Sequence, residues 1–163
     1  MRLSAVHRHR MLGLSLTELV VTAAILSVMA AIAVPFAKIT VQRKKEAELR
    51  WALRQIRNAI DEYHRDAVPP DGSPPKIGLQ KYGSEGYPES LEILVEGVYL
   101  VNSTKKKRYL RRIPKDPMTN SYDWGLRCVS DPPDSTSWCG DNVYDVYSKS
   151  TARALDGSHY NEW

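Results

Sequence analysis

Cysteine is scarce in this 163-residue sequence, which contains two, Cys128 and Cys139. Two thiols are too few for a structural zinc site, which normally takes four protein ligands. The polar residues between them favour a disulfide that closes a short loop, and such a bond would place this part of the chain in an oxidising compartment. Two free buried thiols are the alternative.

Markers of an active site are also missing. No Ser, Cys or Lys lies in a recognisable nucleophile motif such as G-x-S-x-G. The histidines are spread along the chain without the spacing of metal ligands, at His7, His9, His64 and His159. The sequence therefore predicts a protein that is not an enzyme.

Acidic residues are absent from residues 1–13, which carry three of the 23 Lys and Arg residues. The rest of the chain has 20 basic residues against 19 acidic ones, so the formal net charge of +4 arises mainly at the N-terminus. This distribution argues against a nucleic-acid-binding surface. No recognisable binding motif surrounds the basic run Lys105–Arg108, and we expect it to be a solvated turn that binds no nucleic acid.

Charge is nearly absent from Leu14 to Ala37, where Glu18 is the one ionisable side chain. As a helix this segment would measure roughly 36 Å, which is enough to cross a hydrocarbon core of about 30 Å. A secretory signal peptide is one interpretation, because the small residues Ala31–Ala33 resemble a cleavage site. The apolar run is about twice the usual length for such a peptide, and Glu18 interrupts it.

Two further interpretations of this segment leave something unexplained. A plain membrane anchor, kept N-terminus-inside by Arg2, Arg8 and Arg10, gives Glu18 no partner. A carboxylate deep in a bilayer costs about 2.5 to 3.5 kcal/mol on insertion scales. A buried helix of a soluble domain would be expected to carry a polar stripe, which this segment lacks.

Cleavage between Gly13 and Leu14 would supply a partner for Glu18. The cut creates an ammonium at Leu14 and makes Glu18 the fifth residue of the mature chain. In a bundle of identical helices shifted along their axis, the carboxylate of one subunit could meet the ammonium of its neighbour. Buried charges are tolerated when they are paired in this way.

These residues carry a family resemblance. The stretch MLGLSLTELVVTAAILSVMAAIAVP resembles the N-terminus of type IV prepilins: a short basic leader ending in Gly, a cut, a Glu at the fifth mature position, an apolar run and a Pro. Leu14 and Thr17 depart from the family, which often has Phe after the cut and an aliphatic residue before the Glu. The resemblance implies a leader at residues 1–13, peptidase cleavage after Gly13, N-methylation of Leu14, and assembly through Glu18.

The helical pattern continues beyond the apolar segment. Apolar residues recur there at steps of three and four and predict an amphipathic half, at Leu49, Ala52, Leu53, Ile56, Ile60 and Tyr63. Glu46 and Arg50 are spaced for an i, i+4 pair. We expect one helix from Leu14 to about Asp66, with residues 14–37 as the transmembrane and filament-core half and residues 38–66 as the amphipathic half. Pro35 should bend or locally melt it.

Residues 67–163 are expected to form a globular α+β region. Prolines and glycines in residues 67–78 end the long helix. A short helix should begin near Ser90 and end near Gly97, and strands are expected within Tyr122–Val129 and Val143–Ser148. The predicted fold is a long helix packed on a small antiparallel sheet.

A second resemblance supports a pilin-like fold. YLRRIPKDPMTNSYDW, followed by YDVYSKSTARALDGSHYNEW, resembles the C-terminal half of the G-type major pseudopilin of type II secretion, with its Pro-Lys-Asp-Pro turn, its Asp-Val-Tyr-Ser strand and a final tryptophan, Trp163. That family usually holds a calcium ion in the loop after the strand. Here the loop has only Asp156 and Glu162, so Asp156 is a calcium candidate, and an Asp-Gly turn is the simpler interpretation.

Together the resemblances imply a pseudopilin, a structural subunit that forms a periplasmic filament driving protein export. The implied partners are other copies of the chain, prepilin peptidase, an inner-membrane platform protein, a cytoplasmic assembly ATPase and minor pseudopilins. The implied location is the inner membrane, with the C-terminal region in the periplasm. A subunit of a surface type IV pilus and a monomeric membrane-anchored binding domain are the alternatives.

Overall fold

The computed structural model describes residue 13, residues 15–78, residue 81, residues 83–101 and residues 103–163. Leu14, the predicted site of N-methylation, and residues 1–12 of the predicted leader lie outside the described residues. The chain divides into two units, one ending at Val41 and the other running from Gln42 to Trp163.

The secondary structure is mixed α+β, as predicted. In chain order the elements are α1 (Leu16–Ala67), α2 (Leu91–Glu96), β1 (Val98–Tyr99), β2 (Lys106–Lys107), β3 (Gly125–Arg127), β4 (Asp145–Tyr147) and a short 3-10 helix (Tyr160–Glu162). The single long N-terminal helix of the prediction is confirmed, with its C-terminal end within one residue of the expected position. Pro35 lies inside α1, and the helix continues through that residue.

The core of the second unit forms along the predicted apolar stripe of α1. Leu49, Ile56 and Ile60 are fully buried, because their spacing of seven and four residues places them on one helical face. The other elements of this unit cover that face. Further buried members of the same cluster are Ala52, Leu53, Ala59, Tyr63, Leu91, Leu94, Leu110, Trp124, Val143, Val146 and Tyr160.

The short helix α2 begins and ends where its sequence predicts. Ser90 precedes it in an extended conformation, and Gly97 follows it with a φ of 78°. This left-handed conformation favours glycine. A side chain at Gly97 would also collide with the main-chain carbonyl of Lys107. Leu94 on the inner face of α2 is fully buried.

Two antiparallel strand pairs complete the second unit. In one pair β3 and β4 align Gly125 with Tyr147 and Arg127 with Asp145. Gly125 is required here because a side chain at this position would overlap the Tyr147 ring. A disulfide joins Cys128 to Cys139 across the connection between these strands, which confirms the predicted bond over the alternative of free thiols.

The other strand pair corrects the expectation for the basic run Lys105–Arg108. Lys106 and Lys107 form β2, which pairs with β1 instead of forming a turn. The Lys107 ammonium lies 2.6 Å from the Asp66 carboxylate and 2.7 Å from that of Glu62. Lys107 is thus a structural cation that ties β2 to the end of α1, and sequence periodicity could not place it because the pairing spans 41 residues.

Asp66 is a buried carboxylate at the end of α1 with three donors. Its side chain accepts hydrogen bonds from Lys107 and from the Tyr109 hydroxyl at 3.0 Å, and Lys76 lies 3.3 Å away. Burial raises the pKa of Asp66, but these donors outweigh it and hold the pKa below its ordinary value of 3.8. The charged form is therefore the one that stabilises the fold.

Replacing Asp66 by Asn should lower the free energy of unfolding by about 1–3 kcal/mol at neutral pH. Because the pKa of Asp66 is lower in the folded state, the stability that its charge contributes is complete above pH 3.8. This stability is lost as the pH falls through the pKa of the folded state. The difference between Asp66→Asn and wild type should therefore shrink in acid. Urea unfolding of the full chain in detergent, followed by tryptophan fluorescence, measures it. Exposed Asp134→Asn is the control, and an equal effect of Asp66→Asn at every pH would contradict this account.

Candidate functional site

The first turn of α1 places Glu18 beside the helix N-terminus. Ser15 precedes the helix, and its hydroxyl accepts a hydrogen bond from the main-chain N–H of Glu18 at 3.3 Å. This is an N-cap, and the Ser15-x-x-Glu18 spacing is a known start signal of helices. The Ser15-x-x-Glu18 spacing is visible in the sequence, but the cap was not predicted from it. A carboxylate in the first turn also interacts favourably with the positive end of the helix dipole.

The carboxylate of Glu18 has no partner among the described residues. Among the described residues, none donates a hydrogen bond to its side chain or forms an ion pair with it, and Glu18 is exposed. In water such a group is solvated at little cost, whereas in an apolar medium it requires a cation.

The first 18 residues of α1 expose apolar side chains on every side. All residues from Leu16 to Ala33 are exposed. Among the residues that the structure describes, α1 is the one helix long and apolar enough to cross a membrane. Beyond the first turn, the hydroxyls of Thr22 and Ser27 donate hydrogen bonds to main-chain carbonyls of the preceding turn. Thr22 donates to the Leu19 carbonyl at 3.0 Å, and Ser27 donates to the Ala23 carbonyl at 2.7 Å. Thr22 and Ser27 therefore need no water for their hydroxyls, in contrast to the Glu18 carboxylate.

Side chains at the beginning of the second unit form hydrogen bonds with the 153–163 segment. Gln42 donates to the Arg153 carbonyl at 3.1 Å. The buried Glu46 carboxylate accepts from the Leu155 N–H and from the Tyr160 hydroxyl, both at 2.9 Å. We call this arrangement the α1 clamp, which comprises Gln42, Glu46, Arg50 and Arg57.

Two arginines of α1 extend the α1 clamp toward Trp163. Arg50 lies over the Trp163 ring at 4.3 Å and 3.4 Å from the Asp156 carboxylate. Arg57 donates to the main-chain oxygen of Trp163 at 2.9 Å and pairs with Asp145 of β4 at 2.6 Å. The predicted Glu46–Arg50 pair is wrong, because both side chains bind the 153–163 segment instead. Their spacing in the sequence allows a pair, but it could not show that each side chain would find its partner in a distant segment.

The calcium candidate Asp156 is already engaged in protein contacts. One carboxylate oxygen accepts from the Ser158 N–H at 3.0 Å and from its hydroxyl at 2.6 Å, and the other faces Arg50. Gly157 has a φ of 91°, so Asp156 and Gly157 form the tight turn that the sequence also suggested. The Ser158 hydrogen bonds are the main cause of a pKa of Asp156 below its ordinary value.

The second acid of this loop is engaged as well. Glu162 accepts from the His159 N–H at 3.1 Å and so closes the short 3-10 helix on itself. Calcium needs six to eight oxygen ligands, with several carboxylates free to turn toward the ion. The residues present do not fit such a site, because both carboxylates serve loop contacts and a guanidinium lies beside one of them.

A second set of acidic and sulfur side chains meets at the disulfide. Cys128, Asp131 and Cys139 lie close enough to hold an ion. The two sulfurs are bonded to each other, however, and Asp131 accepts from the Cys128 N–H at 2.8 Å. This cluster is therefore a structural closure of the 128–139 loop.

Comparison with known proteins finds no matching family model, no similar curated protein and no similar solved structure.

Calcium should leave the stability of this chain unchanged, because the α1 clamp holds the 153–163 segment with protein groups alone. The thermal unfolding midpoint of the full chain in detergent should be the same in millimolar calcium and in chelator. Glu46→Ala should lower the free energy of unfolding by about 1–3 kcal/mol in both conditions, since it leaves the Leu155 N–H and the Tyr160 hydroxyl without an acceptor. Glu46→Gln, which keeps an oxygen acceptor, is the matched control. A saturable rise of the wild-type midpoint with calcium, abolished by Asp156→Asn, would contradict the prediction.

Proposed function

We propose that this chain is a pseudopilin, a structural subunit of a type II secretion pseudopilus. In this proposal the leader is cleaved after Gly13, and the mature chain assembles through α1 into a periplasmic filament that drives protein export. The resemblance of the residues around Gly13 and Glu18 to prepilins supports the proposal. The resemblance of the Pro114–Asp116 turn and the Asp145–Ser148 segment to a major pseudopilin favours secretion over other filaments.

The single observation that carries the proposal is the exposed apolar half of α1, whose one carboxylate, Glu18, has no partner in the part of the chain that the structure describes. Burying the exposed side chains from Leu16 to Ala33 is strongly favourable in either a bilayer or a bundle of identical helices. A bilayer offers no cation for Glu18 at that depth, whereas a bundle of processed chains offers the ammonium of Leu14 from a neighbour. The bundle therefore gives the Glu18 carboxylate a counter-charge that the bilayer does not supply.

Pairing between neighbours also sets the stagger of successive subunits. The carboxylate of Glu18 meets the ammonium of a neighbour at only one axial shift between the two helices, because an ion pair needs its two groups in contact. A mismatch would leave two unpaired charges in apolar surroundings. Glu18 thus supplies register, while the apolar surface supplies most of the association free energy.

Assembly in this proposal begins in the inner membrane. The folded unit from Gln42 onward lies in the periplasm, where an oxidising environment accounts for the Cys128–Cys139 disulfide. Extraction of the apolar helix from lipid is uphill, so a cytoplasmic ATPase acting through a platform protein is required. Minor pseudopilins would start the filament, and prepilin peptidase would supply the mature N-terminus.

A subunit of a surface type IV pilus is the second candidate. Two observations favour it: the 128–139 loop is closed by a disulfide, and the loop around Asp156 is not arranged as a calcium site. Both features lie outside the pattern that the resemblance to the major pseudopilin implies.

The mature N-terminus should begin with methylated Leu14. The variant Glu18→Gln should be cut at the same place, but its yield of filaments should be at least about tenfold lower, because the buried ammonium loses its counter-charge. Mass spectrometry of the chain from cells with prepilin peptidase, together with the yield of sheared filaments, measures both. Exposed Asp61→Asn on the second half of α1 is the control. An intact Met1 would support a monomeric anchor, and wild-type filament yield from Glu18→Gln would refute the pairing.

Deletion of this chain should abolish export of folded proteins into the medium and leave surface fibres and motility intact. The physical reason is that a periplasmic filament can act on cargo only below the outer membrane. Exoprotein activity in the medium and electron microscopy of the cell surface are the two measurements, with complementation by the intact chain as the control. Loss of fibres and motility with normal export would assign the chain to a surface pilus.

A further inference from the structure

A groove of about 460 Å³ lies between α1 and the 111–122 segment, within the second unit. Trp51 lines it from the helix, and Arg111, Arg112 and Tyr122 line it from the segment. We call this surface the basic groove, defined by Trp51, Gln55, Arg111, Arg112, Lys115 and Tyr122.

The aromatic residues of the basic groove are exposed. Trp51 is 58% exposed and Tyr122 is 63% exposed, although Ala52 and Leu53 beside Trp51 are buried. Among the described residues, no hydrogen bond or ring contact engages the Trp51 side chain. Exposed tryptophan, tyrosine and arginine together are the side chains most enriched at the energetic centres of protein interfaces.

The positive charges of the basic groove are not compensated by any carboxylate of the described residues. Arg111 and Arg112 are exposed, and neither forms an ion pair with a described residue. Lys115 lies over the Tyr122 ring at 5.9 Å and has no carboxylate partner there either. Glu48, at the edge of the groove, is 4.0 Å from Lys44. The groove therefore presents three cations that an acidic partner could pair.

A complementary acidic surface exists on the same unit. Glu89, Glu92 and Glu96 are exposed, and none of them forms an ion pair with a described residue. We call these three residues the acidic strip. Glu92 and Glu96 lie four apart on α2, where like charges repel each other. A cation from another molecule would remove that repulsion.

We propose that the basic groove of one subunit receives the acidic strip of the next copy of the same chain. The proposal rests on the proposed function as a filament subunit. Two basic grooves cannot face each other without bringing like charges together, so the contact joins two different surfaces. A contact between different surfaces that does not close into a ring generates an open helical filament.

This contact has a different role from that of the apolar helices. Exposed charge pairs contribute more to the rate and specificity of association than to its affinity, and salt screens them. The pairing of groove and strip therefore sets the orientation of the outer units, while α1 holds the filament together. Filament growth should slow as the salt concentration rises.

Charge reversal tests the pairing in the full chain. Arg111→Glu/Arg112→Glu and Glu92→Lys/Glu96→Lys should each reduce the yield of sheared filaments at least about tenfold, because like charges then meet across the contact. Combining the four substitutions restores opposite charges with their signs exchanged, and the yield should return to near wild type. Lys81→Glu/Lys105→Glu is the matched control, since it changes the net charge by the same amount as the groove reversal and affects exposed lysines outside both surfaces.

Disulfide trapping provides the second measurement. Both native cysteines are already bonded to each other, so introduced thiols are the only free ones among the described residues. The double variant Glu92→Cys/Arg112→Cys should give a ladder of cross-linked oligomers in the oxidising compartment. Co-expressed single variants should give dimers only, because each chain then carries one of the two halves of the contact.

Three outcomes would overturn the proposal. In the first, the combined charge reversal gives as low a filament yield as either reversal by itself. In the second, the ladder of cross-linked oligomers is absent. In the third, only reversal of the groove lowers the yield, which would mean that its occupant is not a second copy. The mass of the N-terminus separates these outcomes from failure of the proposed function. A processed chain that forms filaments without the ladder overturns this contact alone, whereas an uncut chain without filaments overturns the proposed function.

Discussion

One helix must satisfy two different surroundings, and the other features of the protein depend on this constraint. From Leu16 to Ala33 the side chains of α1 are exposed on all sides, whereas Leu49, Ile56 and Ile60 form a buried stripe in the second half. The first part is long and apolar enough to cross a membrane, and the second supplies the core on which the loops fold. The change of pattern along a single helix therefore explains why the chain divides into two units near Val41.

Buried and half-buried carboxylates organise the second unit, whose strands are only two or three residues long. Asp66 binds β2, Glu46 binds the 153–163 segment, and Asp145 binds Arg57 of α1. Asp116 accepts from the Met118 N–H at 2.7 Å and from the Ser148 hydroxyl at 2.7 Å. Each acid joins segments that are distant in the sequence, and these contacts take the place that an extended sheet has in other small domains. Charged groups that are buried and fully hydrogen-bonded can specify such a loop-rich arrangement.

Elements with local causes could be predicted from the sequence. The extent of α1, the positions of α2, β3 and β4, and the disulfide all follow from periodicity, capping residues and cysteine count. The pair β1–β2 and the role of Lys107 were missed, because two-residue strands have no periodicity and because Lys107 lies 41 residues from Asp66. The Glu46–Arg50 prediction failed for the same reason: i, i+4 spacing makes a pair possible, but competing partners from residues 155–163 decide it.

The sequence by itself determined that α1 is long, that its first half is apolar apart from Glu18, and that its second half has one apolar face. These properties follow from the order of side chains along a regular helix, so no distant residue can change them. Only the tertiary structure decided that Arg50 faces Asp156, that the loop around Asp156 is built from protein contacts, and that Arg111 and Arg112 border a groove with Trp51. Those arrangements depend on which distant segments meet, and the free energy of many competing contacts selects them.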